Sequence, residues 1–210
     1  MKQRETGPAR ARDSAKTKLL DAALRVIRTK GYEATTVDEL CAAAAVSKGS
    51  FFHHFASKEE LAVGAAAHFG AMANGLFAGA PYRGLADPRA RVLAYIDFRS
   101  ALLTGSLPEI TCLLGTMVQE TYATHPAIRE ACEAGICGHA ADVARDIALA
   151  KERHAPDAPW TPESLALYTQ AVIQGAFILA KASNDPHLAG DALTHLRRYL
   201  ETQLPNTTQQ

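Results

Sequence analysis

Residues 47–58 carry hydroxyl groups, imidazoles and lysines at the spacing of one short helix and the start of the next. Ser47 and Lys48 fall at the expected helix N-terminus, where backbone N–H groups and the helix dipole favour a phosphate. Ser50 and His53 are three residues apart, so they share a helical face and could reach base edges. Lys58 is placed to make a further phosphate contact. This pattern predicts contacts to double-stranded DNA.

Two short helices joined by a tight turn must position these side chains. Thr36 and Ser57 each stand three residues before a glutamate, which is the spacing of a capping box, and Ser47 is a third good N-cap. Only residues 44–46 separate the two helices of this stretch, and so short a connection must be a tight turn. The stretch from 36 to 58 therefore predicts a helix-turn-helix.

Residues 46–55 (Val-Ser-Lys-Gly-Ser-Phe-Phe-His-His-Phe) and 57–61 (Ser-Lys-Glu-Glu-Leu) resemble the DNA-binding segment of TetR-type transcriptional regulators. The resemblance is strong from about residue 16 to residue 61, and beyond that it is one of length and helical pattern. It implies an all-α, cytoplasmic homodimer with N-terminal domains that bind a palindromic operator. It also implies larger C-terminal domains that bind an inducer, and repression as the default activity.

Two residues depart from the usual family pattern. Phe52 stands where a tyrosine is common, so a hydroxyl–phosphate bond is replaced by an apolar contact, for example to a thymine methyl. Ala45 stands where glycine is common, and a left-handed alanine would cost roughly 1 kcal/mol. Gly49 lets the backbone approach DNA, whereas His54 could face a phosphate or the next helix. The predicted DNA-contacting set is Thr36, Ser47, Lys48, Gly49, Ser50, Phe52, His53, His54 and Lys58.

The charge is distributed unequally although its net value is zero. Residues 1–58 contain eleven Lys and Arg against six Asp and Glu, and residues 59–210 contain eleven against sixteen, giving +5 and −5. A basic head on an acidic body fits a protein that presents one end to a polyanion. Residues 1–12 form a basic arm that either enters the minor groove or stays solvated.

Capping residues placed before prolines mark the helices of the remaining chain. We predict a first helix from Asp13 or Ser14 to about residue 30, a linking helix at 57–79, and no sheet. With the helix-turn-helix and the body helices this makes about nine helices. The body helices are predicted at about 87–104, 107–122, 126–153, 162–182 and 186–203. The predicted domains are thus 13–58 and 59–203, followed by a polar tail at 204–210.

The last two predicted helices, within 162–203, are apolar over more than one face. With the resemblance, this predicts a four-helix dimer interface, and burial within one subunit is the alternative. Mostly apolar side chains among the body helices could also line a ligand pocket for an apolar or aromatic molecule with few polar groups. The predicted lining residues are Phe69, Met72, Cys112, Met117, Tyr122, Tyr168 and Phe177.

Cys112 lies in the segment Thr-Cys-Leu-Leu-Gly, which is similar to the Gly-Cys-Leu setting of a sensing cysteine in the repressor of N-ethylmaleimide reductase. Threonine replaces that glycine, and no Lys or Arg is adjacent in sequence to lower the thiol pKa. The residue is therefore interpreted as a structural cysteine, with a redox or electrophile sensor as the alternative.

Other chemistry is not supported by the sequence. Cys132, Cys137 and His139 do not share one helical face, so no metal site is predicted. No nucleophile elbow, phosphate-binding glycine loop or paired-carboxylate motif is present, so we expect neither an enzyme nor a cofactor. A thiol enzyme at Cys112 with a vestigial helix-turn-helix is the weakest alternative. The uncharged run 61–82 contains His68 and several glycines and is interpreted as a linker helix rather than a membrane span.

Overall fold

The computed structural model describes residues 14–206, and all regular structure in that range is helical. The basic arm, Asp13 and residues 207–210 of the predicted tail lie outside the described residues. A short 3-10 helix, Pro81–Gly84, follows the fourth α-helix. The ten α-helices are α1 (Ala15–Lys30), α2 (Val37–Ala44), α3 (Lys48–His54), α4 (Lys58–Ala78), α5 (Pro88–Ala101), α6 (Leu107–Ile110), α7 (Leu113–Thr121), α8 (Pro126–His154), α9 (Pro162–Ser183) and α10 (His187–Gln203).

Local capping chemistry sets most helix starts as predicted. The Ser14 hydroxyl accepts from the N–H of Thr17, so Ser14 is the N-cap of α1. Thr36 and Glu39 form a reciprocal capping box at α2. Ser47 and Ser57 cap α3 and α4, each accepting from the N–H three residues later. These hydroxyls satisfy N–H groups that have no partner inside a helix, which fixes where each helix begins.

The head consists of α1, α2 and α3 packed around a small core, with α4 leading out of it. Leu40, Phe51 and Phe55 are buried in this core, and Val37 and Val46 pack against it. The Phe51 and Phe55 ring centroids are 6.0 Å apart. Since both phenylalanines point inward, the opposite face of α3 remains exposed.

The head core does not stop at residue 58. The same continuous cluster of buried side chains includes Leu113, Leu114 and Met117 of α7, together with Ile128 and Cys132 of α8. Head and body thus share apolar packing. The domain boundary between residues 58 and 59 stays a prediction.

One predicted helix is wrong: the segment 107–122 forms two helices, α6 and α7, instead of one. Thr111 and Cys112 between them have extended backbones, with ψ of 157° and 125°. Residues 110, 111, 113, 114 and 115 are all buried. One face of a single helix cannot bury that many consecutive positions, so the chain breaks and packs α6 and α7 separately.

The body is built around the long helix α8, which packs against α4, α5, α7 and α9. A second buried cluster joins α5, α8, α9 and α10, and Ile96, Ile147, Ile173 and Leu200 are fully buried in it. By length and composition alone, α4 and α9 could each cross a membrane. In this fold both are packed helices of the bundle, and α4 carries a His68–Asp21 contact of 2.9 Å back to the head.

Candidate nucleic-acid interface and body cavity

The outward face of α3 carries most of the residues predicted to contact DNA. Phe52 is 53% exposed, an unusual setting for a large aromatic side chain. His53 next to it is also exposed, and Ser47, Lys48 and Gly49 stand exposed at the start of the helix. Ser50 and His54 are partly exposed, and the two imidazoles of His53 and His54 are 4.8 Å apart. The face therefore offers a hydroxyl, two imidazoles and an apolar ring side by side.

Lys48 is available to a phosphate although it has a partner within the head. Its Nζ lies 2.7 Å from Asp38 Oδ1, and that hydrogen bond raises the pKa of Lys48. Both side chains are exposed, and an exposed ion pair contributes little to stability. A phosphate can replace the carboxylate at small cost.

The turn between α2 and α3 has the left-handed conformation anticipated for Ala45, with φ 53° and ψ 46°. The N–H of Ala45 closes α2 by donating to Ala42 and Cys41 carbonyls. The turn sets the angle of α3, so the departure from glycine leaves the helix-turn-helix geometry intact.

Lys58 is not the free phosphate clamp that the sequence predicted. Its Nζ donates to the carbonyls of Tyr32, Thr35 and Glu33 at 3.0, 3.1 and 3.4 Å. It also lies 4.2 Å from the centroid of the Tyr32 ring. An ammonium has three N–H donors, and here each has a carbonyl partner. Lys58 therefore holds the loop between α1 and α2.

Thr36 is likewise committed to structure, although its side chain is exposed. Its hydroxyl accepts from the Glu39 N–H, and its own N–H donates to the Glu39 carboxylate at 2.9 Å. Lys30, 2.5 Å from the same carboxylate, and these bonds from Thr36 lower the pKa of Glu39 to about 2. The Thr36–Glu39 pair keeps its geometry across the pH range in which the protein would meet DNA.

A cavity of about 460 Å³ lies in the body where α1, α4, α5, α6, α8 and α9 meet. It contains four of the seven predicted lining residues, namely Phe69, Met72, Cys112 and Phe177. Met117 is instead fully buried in the shared head–body core. Tyr122 is 64% exposed at the end of α7, and Tyr168 is on the outer face of α9 against Tyr199. The structure therefore brings these last three residues to other places.

The cavity lining has more polar side chains than the sequence analysis predicted. Its lining includes Arg28, Arg99, Glu109, Gln170 and His139 among mostly apolar walls. Gln170 donates to the Tyr95 hydroxyl at 3.1 Å, and that hydroxyl is 2.9 Å from His139 Nε2. Burial, with a smaller effect of the nearby Arg99, lowers the pKa of His139 to about 4. His139 is therefore neutral at physiological pH and can only hydrogen-bond.

Arg28 is a cavity residue that the sequence reasoning missed because it belongs to α1 of the head. Its Nε donates to the Leu24 carbonyl at 2.8 Å, and Nη1 donates to the Glu109 carbonyl at 3.0 Å. Burial lowers the pKa of Arg28, an effect opposed by Cys112 and Glu109. The available signal was its position, four residues after Leu24 on the apolar face of the first helix.

Cys112 is the N-cap of α7, and its thiol accepts from the Gly115 N–H at 3.5 Å. Arg28 and Lys181 are close enough to interact electrostatically with it, although neither is near it in sequence. Burial raises the pKa of Cys132 to about 12, so that thiol is unreactive. Within residues 14–206, no three His, Cys, Asp or Glu side chains are grouped to hold a metal ion.

Two family models cover most of this chain. Residues 19–65 match bacterial regulatory proteins of the tetR family, and residues 88–196 match the tetracyclin repressor-like C-terminal domain. Two curated relatives match over short segments. The uncharacterized HTH-type transcriptional regulator YerO of Bacillus subtilis (strain 168) is 35% identical over 54 residues, which are 26% of this chain and 19% of YerO. The transposon Tn10 TetC protein of Escherichia coli is 42% identical over 43 residues, 20% of this chain and 22% of TetC. The chain thus spans about a fifth of the length of these relatives.

Solved structures match over nearly the whole chain. The reduced form of E. coli NemR is 26% identical, with a TM-score of 0.72 over 88% of this chain and 96% of that one. A TetR transcriptional regulator from Chloroflexus aurantiacus is 24% identical, with a TM-score of 0.78 over 90% and 96% of the two chains. A cysteine mutant of the regulator CifR, in complex with 26 bp of double-strand operator DNA, is 22% identical with a TM-score of 0.72 over 91% and 98%.

Proposed function

Since this chain belongs to the TetR family and is a DNA-binding transcriptional regulator, we propose that it is a homodimeric repressor released from a palindromic operator by a small, largely apolar or aromatic molecule. Members of this family are transcription factors and not enzymes. The observation that carries the proposal is the outward face of α3, with Ser50, Phe52 and His53 beside the exposed Lys48. We place the soluble regulator in the cytoplasm.

The DNA contacts divide into two kinds. Ser47, Lys48 and Gly49 approach the phosphate backbone and supply affinity and salt dependence. Ser50, Phe52 and His53 enter the major groove and select bases, and His54 stands at its edge. The operator complex of CifR, a protein of the same fold, supports this docking. In a dimer, two such helices would reach successive major grooves roughly 34–36 Å apart.

The dimer would form through the outer faces of α9 and α10. Tyr168, Ile178, Leu179 and Tyr199 are large apolar or aromatic residues that remain exposed there. Gly175 lies between them on α9 and lets a second helix approach closely. The inward residues of the same helices are already buried in the body core, so the exposed ones are free to pair with a partner subunit. Ile178→Glu should shift the mass in analytical ultracentrifugation from dimer to monomer.

The body cavity is the proposed inducer site. Its volume is in the range of ligand pockets, about 300–1,000 Å³. It touches both α1 of the head and α4, the helix that runs from head to body. A bound molecule can therefore favour a head spacing that does not fit the operator. To reverse the switch almost completely it must prefer that state by about 5 kcal/mol.

A mobility-shift titration of the purified dimer on its own promoter region tests the main proposal. We expect a salt-sensitive shift that is competed by the palindromic fragment and not by scrambled DNA. Ser50→Ala and His53→Ala should each relax sequence selection, with a loss of about 1–3 kcal/mol on the specific fragment. Arg145→Ala, an exposed cation of α8 paired with Asp142, is the control and should bind like the parent. A chain that shows no selective shift at any promoter fragment is not an operator-binding repressor.

A second mode of release, oxidation or alkylation of Cys112, is favoured by the position of its thiol. The thiol is in the cavity, at a helix N-terminus, and interacts electrostatically with Arg28 and Lys181. An electrophile that enters the cavity can therefore reach the thiol. We expect N-ethylmaleimide to release the dimer from DNA, Cys112→Ser to prevent that release, and Cys137→Ser, an exposed control, to leave it unchanged. Release that persists in Cys112→Ser would exclude this mode.

A further inference from the structure

The cavity lining includes two polar side chains, Arg28 and Thr111, and Arg28 hydrogen-bonds to the chain two residues before Thr111. Thr111 is only 3% exposed, and its hydroxyl has no hydrogen-bond partner among the described residues. A buried hydroxyl without a partner is costly, and native structures usually supply one. Thr111 lines the cavity, but its hydroxyl has almost no accessible surface. A rotation about χ1 would turn the hydroxyl towards a ligand, which would then be its partner.

Arg28 brings a positive charge to this part of the cavity. Two of its N–H groups donate to the carbonyls of Leu24 and Glu109, the latter two residues before Thr111. In residues 14–206, no carboxylate oxygen is within 4 Å of the Arg28 guanidinium, and its Nη2 makes no hydrogen bond. The Glu109 carboxylate is already occupied, because it accepts from the N–H and hydroxyl of Ser106, each at 2.7 Å. Glu109 acts on Arg28 only from a distance, and a part-buried guanidinium with no carboxylate in contact favours an anion.

The charged side chains that line the cavity indicate what net charge a bound ligand should carry. Arg28 and Arg99 are positive, Glu109 is negative, and His139 is neutral, so the lining carries a net charge of +1. Arg99 lies over the Phe77 ring at 5.4 Å, on the side of the cavity near His139. One negative charge on an otherwise apolar molecule would balance this lining.

We propose that the effector is an apolar acid, aliphatic or aromatic, whose single carboxylate is bound by the Arg28 guanidinium and the Thr111 hydroxyl. This inference rests on the proposed function of the cavity as the inducer site and names the chemical class of its ligand. The apolar part lies along Phe69, Met72 and Phe177. Because Arg28 belongs to α1, the carboxylate contacts the head directly and competes with the Glu109 carbonyl for the same guanidinium.

Matched pairs of acids and their primary amides test the proposal on the purified dimer without DNA. Suitable probes are octanoate and octanamide, decanoate and decanamide, and 4-phenylbutyrate and 4-phenylbutanamide, measured by thermal shift and calorimetry. We expect at least one acid to bind about tenfold or more tightly than its amide, the ratio typical of a charge-assisted hydrogen bond. If no acid is preferred over its amide, the proposal is wrong.

Variants locate the carboxylate. Arg28→Gln should abolish the preference for the acid, and Thr111→Val, a change of similar volume, should reduce it several-fold. Arg145→Gln should leave it unchanged. The acid-to-amide ratio is the readout because a purely structural change would weaken both members of a pair equally. An Arg28→Gln dimer that keeps the ratio, or an Arg99→Gln dimer that loses it instead, would overturn the assignment.

Operator binding is measured separately, so the two proposals can fail separately. A dimer that shifts its operator but ignores every acid overturns this inference alone. A dimer that prefers acids but shifts no DNA overturns the proposed repressor function and leaves the ligand class in place.

Discussion

Replacing Lys58 distinguishes a structural lysine from a DNA-binding one. Lys58→Met keeps the apolar stem but removes three hydrogen bonds to the loop 32–35 and the cation–π interaction with the Tyr32 ring. Hydrogen bonds to a charged group contribute about 1.5–3 kcal/mol, and an exposed cation–π interaction about 0.5–1 kcal/mol. Because the freed carbonyls can be partly hydrated, we expect the free energy of unfolding to fall by about 2–3 kcal/mol.

Thermal unfolding and the salt dependence of operator binding measure the two roles separately. The Tm of Lys58→Met should fall by roughly 5–10 °C, as expected for a chain of this length. Between about 50 and 200 mM salt, we expect the slope of log K against log salt to equal that of the parent, because the three N–H donors of Lys58 already have carbonyl partners.

Lys48→Ala is the matched comparison, since Lys48 is exposed at the start of α3 and paired only with Asp38. Its Tm should stay close to that of the parent. Its salt slope should become shallower by about 2 for a dimer, because each subunit then neutralises one phosphate fewer. The reasoning is refuted if Lys58→Met flattens the slope while its Tm is unchanged, or if Lys48→Ala leaves the slope as it was.

Three further changes follow from local geometry. Ala45→Gly should raise the free energy of unfolding in urea by about 1 kcal/mol, because φ is 53° and glycine adopts it without strain; a lower midpoint would contradict this. Gly31→Ala should destabilise by about 1–3 kcal/mol, because φ is +90° and strains any side chain, and because the Glu120 carboxylate would have to move away from the N–H of Glu33. Gly138→Ala, with open space around it, should not destabilise. His139 has a folded-state pKa of about 4, below its unfolded value of about 6.5, so the unfolded state binds more protons in that window and stability should decrease by about 2–3 kcal/mol as pH falls through it. His139→Gln should flatten that part of the stability profile, and an unchanged profile would exclude His139 as its source.

Features set by residues close in sequence were predictable from the sequence. The capping box at Thr36, the N-caps at Ser47 and Ser57, and the left-handed Ala45 depend on interactions within about four residues. The outward face of α3 follows from the same local pattern, because Phe51 must be buried. Helix starts and the family resemblance therefore agree with the structure.

Features set by distant partners were not predictable. The three carbonyl partners of Lys58 belong to residues 23–26 positions earlier. The local sequence therefore cannot distinguish a lysine that is free to bind phosphate from one whose donors are occupied. The break at Thr111 depends on the simultaneous burial of neighbouring positions against different helices. The cavity position of Arg28 depends on Glu109, 81 residues later.

These distant interactions also change how a signal can pass from body to head. The sequence indicates α4 as the lever because it runs from one domain into the other, but α1 is tied to the body as well. Arg28 donates to the Glu109 carbonyl, the N–H of Glu33 donates to the Glu120 carboxylate at 2.9 Å, and the head core continues into α7. Each of these two polar interactions contributes on the order of 1 kcal/mol, so breaking both amounts to about 2 kcal/mol. That is less than half of the roughly 5.5 kcal/mol needed to reverse a two-state switch almost completely. A ligand that binds Arg28 thus acts on one of the interactions that set the position of the head, whereas a ligand confined to the far side of the cavity does not contact that interaction.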